Sequence, residues 1–142
     1  MLILDDLDVY NLSQDFSDKI WSEVENWDSF VKFGFGKQFT NAADSISSNI
    51  AEGYGRYFIK ENINFCFYSR GSILETKNWL RKAFNRNLMS KKKYDELFDS
   101  LEIINKKLNG YIKVLKENLN KQKKAWSGTS KQINDLTNKH TY

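Results

Sequence analysis

Proline is absent from this sequence of 142 residues, and cysteine and histidine each occur once. A single cysteine, Cys66, cannot form an internal disulfide, which fits a reducing cytoplasm. One cysteine and one histidine are also too few for a usual zinc site. The histidine, His140, lies two residues from the C-terminus, which is a poor place for a preorganised catalytic base. We therefore expect no metal, no cofactor and no enzymatic activity.

Long apolar runs are also missing. The apolar start of the chain stops at Asp5 and Asp6, too early for a signal peptide or a membrane helix. Gly53 and Gly55 lack the preceding strand and the following spacing of a phosphate-binding or dinucleotide-binding loop. These absences favour a cytoplasmic protein that makes no contact with membranes.

Aromatic residues are abundant, with ten Phe, seven Tyr and four Trp. This share argues for a folded chain and against disorder, and the length suits one domain. We expect a four-helix domain over residues 1–120. Residues 121–142 form a basic tail that we expect to be disordered or loosely helical. The alternatives are a small docking patch of Trp126, Ile133 and Leu136, and contact with nucleic acid by charge and by stacking of Trp126.

The net charge of +4 conceals two halves of opposite sign. Residues 1–55 carry a net charge of −7, and residues 56–142 carry +11. A basic half is typical of proteins that bind polyanions, although a solvated basic surface explains it equally well. The acidic half could also contact the basic half of a neighbouring subunit, in which case strong salt should weaken the oligomer.

Apolar residues recur every three or four positions in four segments, which predicts four helices. We expect them at residues 8–26, 37–52, 60–85 and 90–119, with a loop at 28–36 that carries Phe30, Phe33 and Phe35. The third helix should turn Ile63, Phe67, Gly71, Leu74, Leu80 and Phe84 inward, with Gly71 allowing a close helix crossing. The fourth has a coiled-coil-like seam of Tyr94, Leu97, Leu101, Ile104, Leu108, Tyr111 and Leu115.

The most informative stretch is residues 45–56. Its apolar stripe lies beside a polar face on which Asn49, Glu52 and Arg56 are spaced three and four apart. Gly53 and Gly55 follow the last apolar residue, where a left-handed cap is expected to end the helix.

This string, S-I-S-S-N-I-A-E-G-Y-G-R, resembles the signature of the small bacterial proteins encoded by intervening sequences of 23S rRNA genes. The segment Ser69 to Glu75 resembles a second family signature. A related branch is the accessory protein of diversity-generating retroelements. The resemblance extends from about Asp6 to about Leu119. The family usually has proline where this chain has Ser47, so a proline kink is not carried over.

The resemblance implies an all-α, antiparallel up-down-up-down four-helix bundle that assembles into a homopentamer. It also implies a non-enzymatic accessory role. In the retroelement branch that role is to bind nucleic acid and a reverse transcriptase through a basic surface. A structural or protein-interaction scaffold without a nucleic-acid role is the alternative.

Two groups of residues are candidates for function. Contacts to RNA or DNA phosphates are expected from cations at the turn between the third and fourth helices and in the tail: Arg81, Lys82, Arg86, Lys91, Lys92, Lys93, Lys121, Lys123 and Lys124. The signature residues are expected to form a buried or half-buried polar network, with a ligand site as the alternative: Ser48, Asn49, Glu52, Gly53, Gly55, Arg56, Arg70, Gly71, Ser72 and Glu75.

The network hypothesis predicts that Glu52→Ala lowers the melting temperature or breaks the oligomer, because a buried arginine would lose its counter-charge. Thermal unfolding and light scattering measure the two effects. Unchanged stability together with lost ligand binding would instead favour a ligand site.

Overall fold

The computed structural model describes residues 3–139, and four long helices make up most of them. These are α1 (Asp8–Glu25), α2 (Lys37–Tyr54), α3 (Ile59–Asn85) and α4 (Lys91–Lys139). A 3-10 turn, Leu4–Asp6, precedes α1, and no strand occurs among the described residues. The predicted all-α four-helix bundle is confirmed.

Neighbouring helices are joined by contacts in which residue numbers rise along one helix and fall along the next. This ordering is that of helices running in opposite directions, as the short connections require. The contacts are hydrogen bonds from Ser47 to Gln14 (2.8 Å), from Ser69 to Ile46 (2.7 Å), from Asn62 to Tyr111 (3.1 Å) and from Arg70 to Asn109 (3.2 Å), and the close approach of Gly36 to Val24.

The core combines the apolar stripes of α1, α2 and α4 that periodicity predicts. The buried residues of these stripes are Val9, Phe16, Ile20 and Val24 in α1, Phe39, Ala43, Ile46 and Ile50 in α2, and Leu97, Leu101, Ile104, Leu108, Ile112 and Leu115 in α4. Ser90 caps α4 as predicted, since its hydroxyl accepts a bond from the Lys93 amide at 3.1 Å.

The inward face predicted for α3 is partly wrong. Leu74 is 64% exposed, and a Cβ at Gly71 would meet no atom within 4 Å, so no helix crosses closely there. The buried row is instead Asn62, Ile63, Cys66, Ser69, Ile73, Thr76, Leu80 and Ala83. Several of these residues are small or polar, so hydrophobicity alone does not identify the row. Their hydroxyls are satisfied by backbone carbonyls, such as that of Ile46.

The loop predicted at residues 28–36 is helical. A helical turn, Ser29–Val31, is capped by the Asp28 side chain, and a π-helical segment, Lys32–Gly36, leads directly into α2. Phe35 packs against Trp27 and Trp79, with ring centroids 5.7 and 5.5 Å away. The packing of Phe35 on the bundle end gives this glycine-containing segment its ordered conformation.

The expected left-handed glycine caps after α2 are also wrong, because no described glycine has a positive φ. Gly53 lies inside α2 and is buried. The left-handed residue is Asn87, with φ 60°, just after α3. The Leu88 amide donates to the Ala83 carbonyl at 2.9 Å, which completes the paired bonds of a Schellman motif. Asparagine tolerates this conformation, so the α3–α4 turn needs no glycine.

The last helix continues through the predicted tail. Leu119 is the final half-buried side chain of the bundle, and nearly all residues from 120 to 138 are exposed. Of the two conformations expected for the tail, the structure has a helix as far as Lys139. The domain boundary at residue 120 stays a prediction, and His140 lies outside the described residues.

Two helical glycines should respond in opposite ways to the same substitution. A Cβ at Gly53 would lie 2.7 Å from both Asn62 Oδ1 and Phe65 Cβ, so Gly53→Ala should destabilise by about 1–3 kcal/mol. Gly71→Ala has open space and should stabilise by up to about 1 kcal/mol. Chemical unfolding followed by circular dichroism measures both. Equal shifts would contradict the close α2–α3 contact.

Candidate nucleic-acid interface

The signature residues do not form one buried network. Arg56 Nη2 pairs with Glu52 Oε1 at 2.9 Å, a predicted pairing, but the two side chains are 42% and 55% exposed. An exposed pair four residues apart in a helix contributes only about 0.3–0.5 kcal/mol. In the single chain, the stability loss expected for Glu52→Ala is correspondingly small.

The other signature side chains bond elsewhere. Arg70 donates to Asn109 on α4, and Glu75 accepts from the Trp79 indole at 3.3 Å. The hydroxyls of Ser48 and Ser72 donate to carbonyls of their own helices, and Asn49 is half-buried. Gly53 is buried in the α2–α3 contact, whereas Gly55 and Gly71 are exposed. The structure thus distributes the predicted network over separate surfaces.

A buried polar cluster lies instead between α3 and α4. Asn62 Nδ2 donates to Tyr111 Oη at 3.1 Å, and Cys66 Sγ contacts Asn62 Oδ1 at 3.8 Å. Burial raises the pKa of Tyr111, against the opposing effect of the Asn62 bond, and burial raises the pKa of Cys66 to about 12. These groups satisfy one another inside the core, and the only sequence signal for them is the spacing of Asn62 and Cys66.

The predicted cations at the α3–α4 turn are spread over several aromatic rings. Arg81 lies over Phe98 with its guanidinium 5.6 Å from the ring centroid. Lys82 lies 5.3 Å from Trp79 and Arg86 lies 5.0 Å from Phe35, again measured to the rings. These distances are typical of cation–π contacts, which hold long side chains in place at the surface.

The three lysines that follow the turn differ from one another. Lys91 pairs with Asp95 at 2.8 Å, and this hydrogen bond raises the pKa of Lys91. Lys92 is exposed and Lys93 is half-buried. The tail lysines Lys121, Lys123 and Lys124 are exposed on the extension of α4. Asp95 therefore partly compensates the positive charge of Lys91.

Four further cations on α3 and α4 were not predicted as nucleic-acid contacts, whereas Arg81, which belongs to the same surface, was. Arg70 on α3 and Lys116 on α4 both lie over the ring of Phe67, 4.8 and 5.4 Å from the ring centroid. Lys113 lines the shallow groove of about 430 Å³ beside them. Lys77 lies 5.5 Å from Phe98, next to Arg81, and pairs with Glu102. We call Arg70, Lys77, Arg81, Lys113 and Lys116 the α3/α4 basic face.

The sequence contains a signal for this face. Arg70, Lys77 and Arg81 are spaced seven and four apart, so they lie on one side of α3. The inward face predicted for α3 was partly wrong, so these three residues were not recognised as one surface. The arrangement places guanidinium and ammonium groups over Phe67 and Phe98 along the junction of α3 and α4, which suits contacts to phosphates.

Other kinds of site have little support in the part of the chain that the structure describes. Over residues 3–139, no three His, Cys, Asp or Glu side chains come close enough to hold a metal ion. No helix within the same residues has the length and apolar character needed to cross a membrane.

The Cys66 thiol should be inert in the folded protein. Because its native pKa of about 12 exceeds the ordinary 9.0, folding favours the protonated form. This contribution to stability is complete below pH 9 and is lost as the pH rises towards 12. A disulfide reagent at pH 8 should detect no thiol in native protein and one in denaturant. Rapid native labelling would contradict the burial of Cys66.

A solved structure has a similar fold. No curated protein matches the sequence. A crystal structure at 1.70 Å, of a protein with unknown function from the S23 ribosomal protein family of Bacteroides thetaiotaomicron VPI-5482, is similar with a TM-score of 0.71. The identity is 23%, and the alignment covers 78% of this chain and 99% of that chain. This likeness shows the fold.

The sequence model described as 23S rRNA-intervening sequence protein matches residues 5–110, well over half of the chain. The match includes both signature segments and the first part of α4, and it ends before the exposed extension of that helix. The chain therefore belongs to the 23S rRNA-intervening sequence protein family.

Proposed function

We propose that this protein is a non-enzymatic, homo-oligomeric accessory factor of the cytoplasm that binds RNA or DNA through a basic surface. The observation that carries the proposal is the α3/α4 basic face, where cations lie over Phe67 and Phe98 along the junction of the two helices. The homopentamer follows from the family resemblance, as does a reverse-transcriptase partner if a retroelement encodes the chain.

The dimensions of the face suit a nucleic-acid strand. Arg70 and Arg81 are eleven residues apart on α3, a distance of about 16 Å along the helix axis. Phosphates along one strand of a duplex are spaced about 3.4 Å apart, so the face spans several of them. The predicted cations at the turn extend it at one end, and the tail lysines extend it at the other.

The chemistry of the face favours binding with little sequence preference. Its charged groups recognise phosphates, which every sequence presents. Phe67 and Phe98 lie beneath the cations and hold them in place, so less side-chain order has to be imposed on binding. The net charge of −7 over residues 1–55 repels a polyanion from α1 and α2 and directs it to this face.

A protein-interaction scaffold is the second candidate. It is favoured by large aromatic side chains that remain exposed away from the basic face, among them Phe30, Tyr57 and Phe58. Exposed aromatic groups of this kind are enriched in protein interfaces. The scaffold would not bind nucleic acid, and this difference separates the two candidates.

The first test is binding to a single-stranded RNA and to a duplex DNA at low and moderate salt, with light scattering to measure mass. We expect an oligomer near five subunits that loses nucleic acid steeply as salt increases, because bound phosphates release counterions. An oligomer that binds neither polymer at low salt would favour the scaffold. A monomer would show that the assembly expected from the resemblance is wrong.

Paired substitutions localise the interaction. Arg70→Gln with Lys116→Gln removes two charges from the basic face, whereas Lys19→Gln with Lys60→Gln removes two exposed charges outside it. The first pair should weaken RNA binding about tenfold and reduce the salt slope by about 0.7 for each lost contact. The second pair should leave binding unchanged. Equal losses from both pairs would contradict a localised interface.

A further inference from the structure

The exposed C-terminal end of α4 extends beyond the bundle as an arm. Leu115 is its last buried apolar residue and Leu119 is half-buried, after which the helix leaves the bundle. We call residues 119–139 the arm. At 1.5 Å per residue it extends about 30 Å beyond the bundle, close to the length of about 27 Å for α1.

An apolar stripe continues from the core into the arm. Ile112 and Leu115 are buried, and the same alternation of three and four residues leads through Leu119 to Trp126, Ile133 and Leu136. Gln122 and Thr129 occupy the two intervening positions of the alternation, so the stripe is interrupted twice. Trp126 is 72% exposed, and Ile133 and Leu136 are also exposed. The stripe that packs inside the bundle is therefore unpartnered in the arm.

The centre of the arm has weak helix propensity. Gly128 lies at its centre between Ser127 and Thr129, and these residues have modest or poor helix propensity. Most helical stability in proteins comes from packing an apolar face, and short isolated helices are marginal in water. A surface that covers the stripe would therefore stabilise the helical arm.

The chain also carries a groove of suitable character. The groove measures about 320 Å³ and lies between the end of α1 and the start of α2, lined by Trp21, Val24, Phe33 and Thr40. Trp21 is 59% exposed and Phe33 is 73% exposed. We call it the α1/α2 groove. Its apolar walls and exposed aromatic groups suit an apolar helix stripe.

The immediate lining of the groove is not acidic, and the charge complementary to the arm comes from the acidic residues around it. Glu25, Lys32 and Lys37 also line it, and the Lys32 ammonium donates to the Glu25 carbonyl at 3.2 Å. Nearby, the carboxylates of Asp44 and Asp18 lie close together. Burial and the charge of Asp18 raise the pKa of Asp44. The surrounding residues 1–55 carry −7, whereas the arm carries five lysines and one aspartate. This difference in charge favours binding of the basic arm over binding of a polyanion.

The arm cannot reach the groove of its own bundle. It leaves the bundle beyond the point where Lys107 contacts Asp8, at 3.6 Å, near the beginning of α1. Trp21 and Val24 lie near the other end of α1, about 20–24 Å away along the axis. Since the arm also points away from the bundle, only another molecule can bring the two surfaces together.

We propose that the arm of one copy docks its Trp126–Ile133–Leu136 stripe in the α1/α2 groove of a second copy. The inference rests on the self-assembly part of the proposed function and assigns a surface to it. The contact is heterologous, because arm and groove are different surfaces, so successive copies close into a ring or continue as a filament.

The test uses two disabled full-length chains. Trp126→Asp with Ile133→Asp disables the arm, and Trp21→Asp with Phe33→Asp disables the groove. Each should raise the concentration for half-maximal association about 30-fold or more, as expected for central aromatic anchors. Val114→Asp and Tyr68→Asp are matched controls: Val114 is exposed on α4 outside the stripe, and Tyr68 is exposed on α3 and does not line the groove. Both controls should associate normally, and circular dichroism checks folding.

Mixing the two disabled chains gives the decisive result. One chain retains a groove and the other an arm, so the mixture should form a one-to-one heterodimer that neither chain forms alone. Absence of the heterodimer would overturn the proposal, as would unchanged association of both disabled chains.

The remaining outcomes separate this proposal from the broader function. If arm variants keep the full oligomer mass but lose RNA, the arm is a nucleic-acid surface and the docking proposal is wrong. If they keep both mass and RNA binding, assembly uses other surfaces and only the docking proposal fails. A wild-type chain that stays monomeric contradicts both the docking proposal and the self-assembly part of the proposed function.

Discussion

The close contact between α2 and α3 determines the rest of the structure. Gly53 lies so near Asn62 and Phe65 that no Cβ fits, and farther along the helices the Ser69 hydroxyl donates to the Ile46 carbonyl. A backbone carbonyl can accept this second bond only where a small side chain lets the helices approach. The contact sets the rotation of α3 about its axis. It thereby turns the row from Asn62 to Ala83 inward.

The same rotation creates the surface on which the proposed function depends. With Ser69 and Ile73 buried, Arg70, Lys77 and Arg81 lie on the side of α3 next to α4. There they meet Phe67, Phe98 and Lys116. Packing and charge are therefore linked: residues that are too small to dominate the core decide where the basic groups lie.

The opposite charges of the two halves of the chain separate the two proposed interactions. Nucleic acid is expected on the α3/α4 basic face, and a second copy of the chain is expected in the α1/α2 groove. The groove and the basic face lie on different helices, so an assembled ring or filament would still present Arg70, Lys77 and Arg81, although the tail lysines would lie in the docked arm. Both interactions should weaken in salt, but for different reasons. Salt reduces the gain from counterion release when nucleic acid binds. In the docked arm, salt screens the attraction between protein charges, while the apolar contacts remain.

The sequence by itself determined the helices and much of the core. The seams of α1 and α4, the Ser90 cap and the family signature follow from local spacing, and local spacing is visible in a single chain. Only the tertiary structure decided the inward row of α3, the helical form of residues 28–36, the separation of Glu52 from Arg70, and the roles of Gly53 and Gly71. These features depend on how closely two helices approach. That distance is set by neighbours far apart in the chain, and residues such as Ser69 and Thr76 become core residues only when a facing helix covers them.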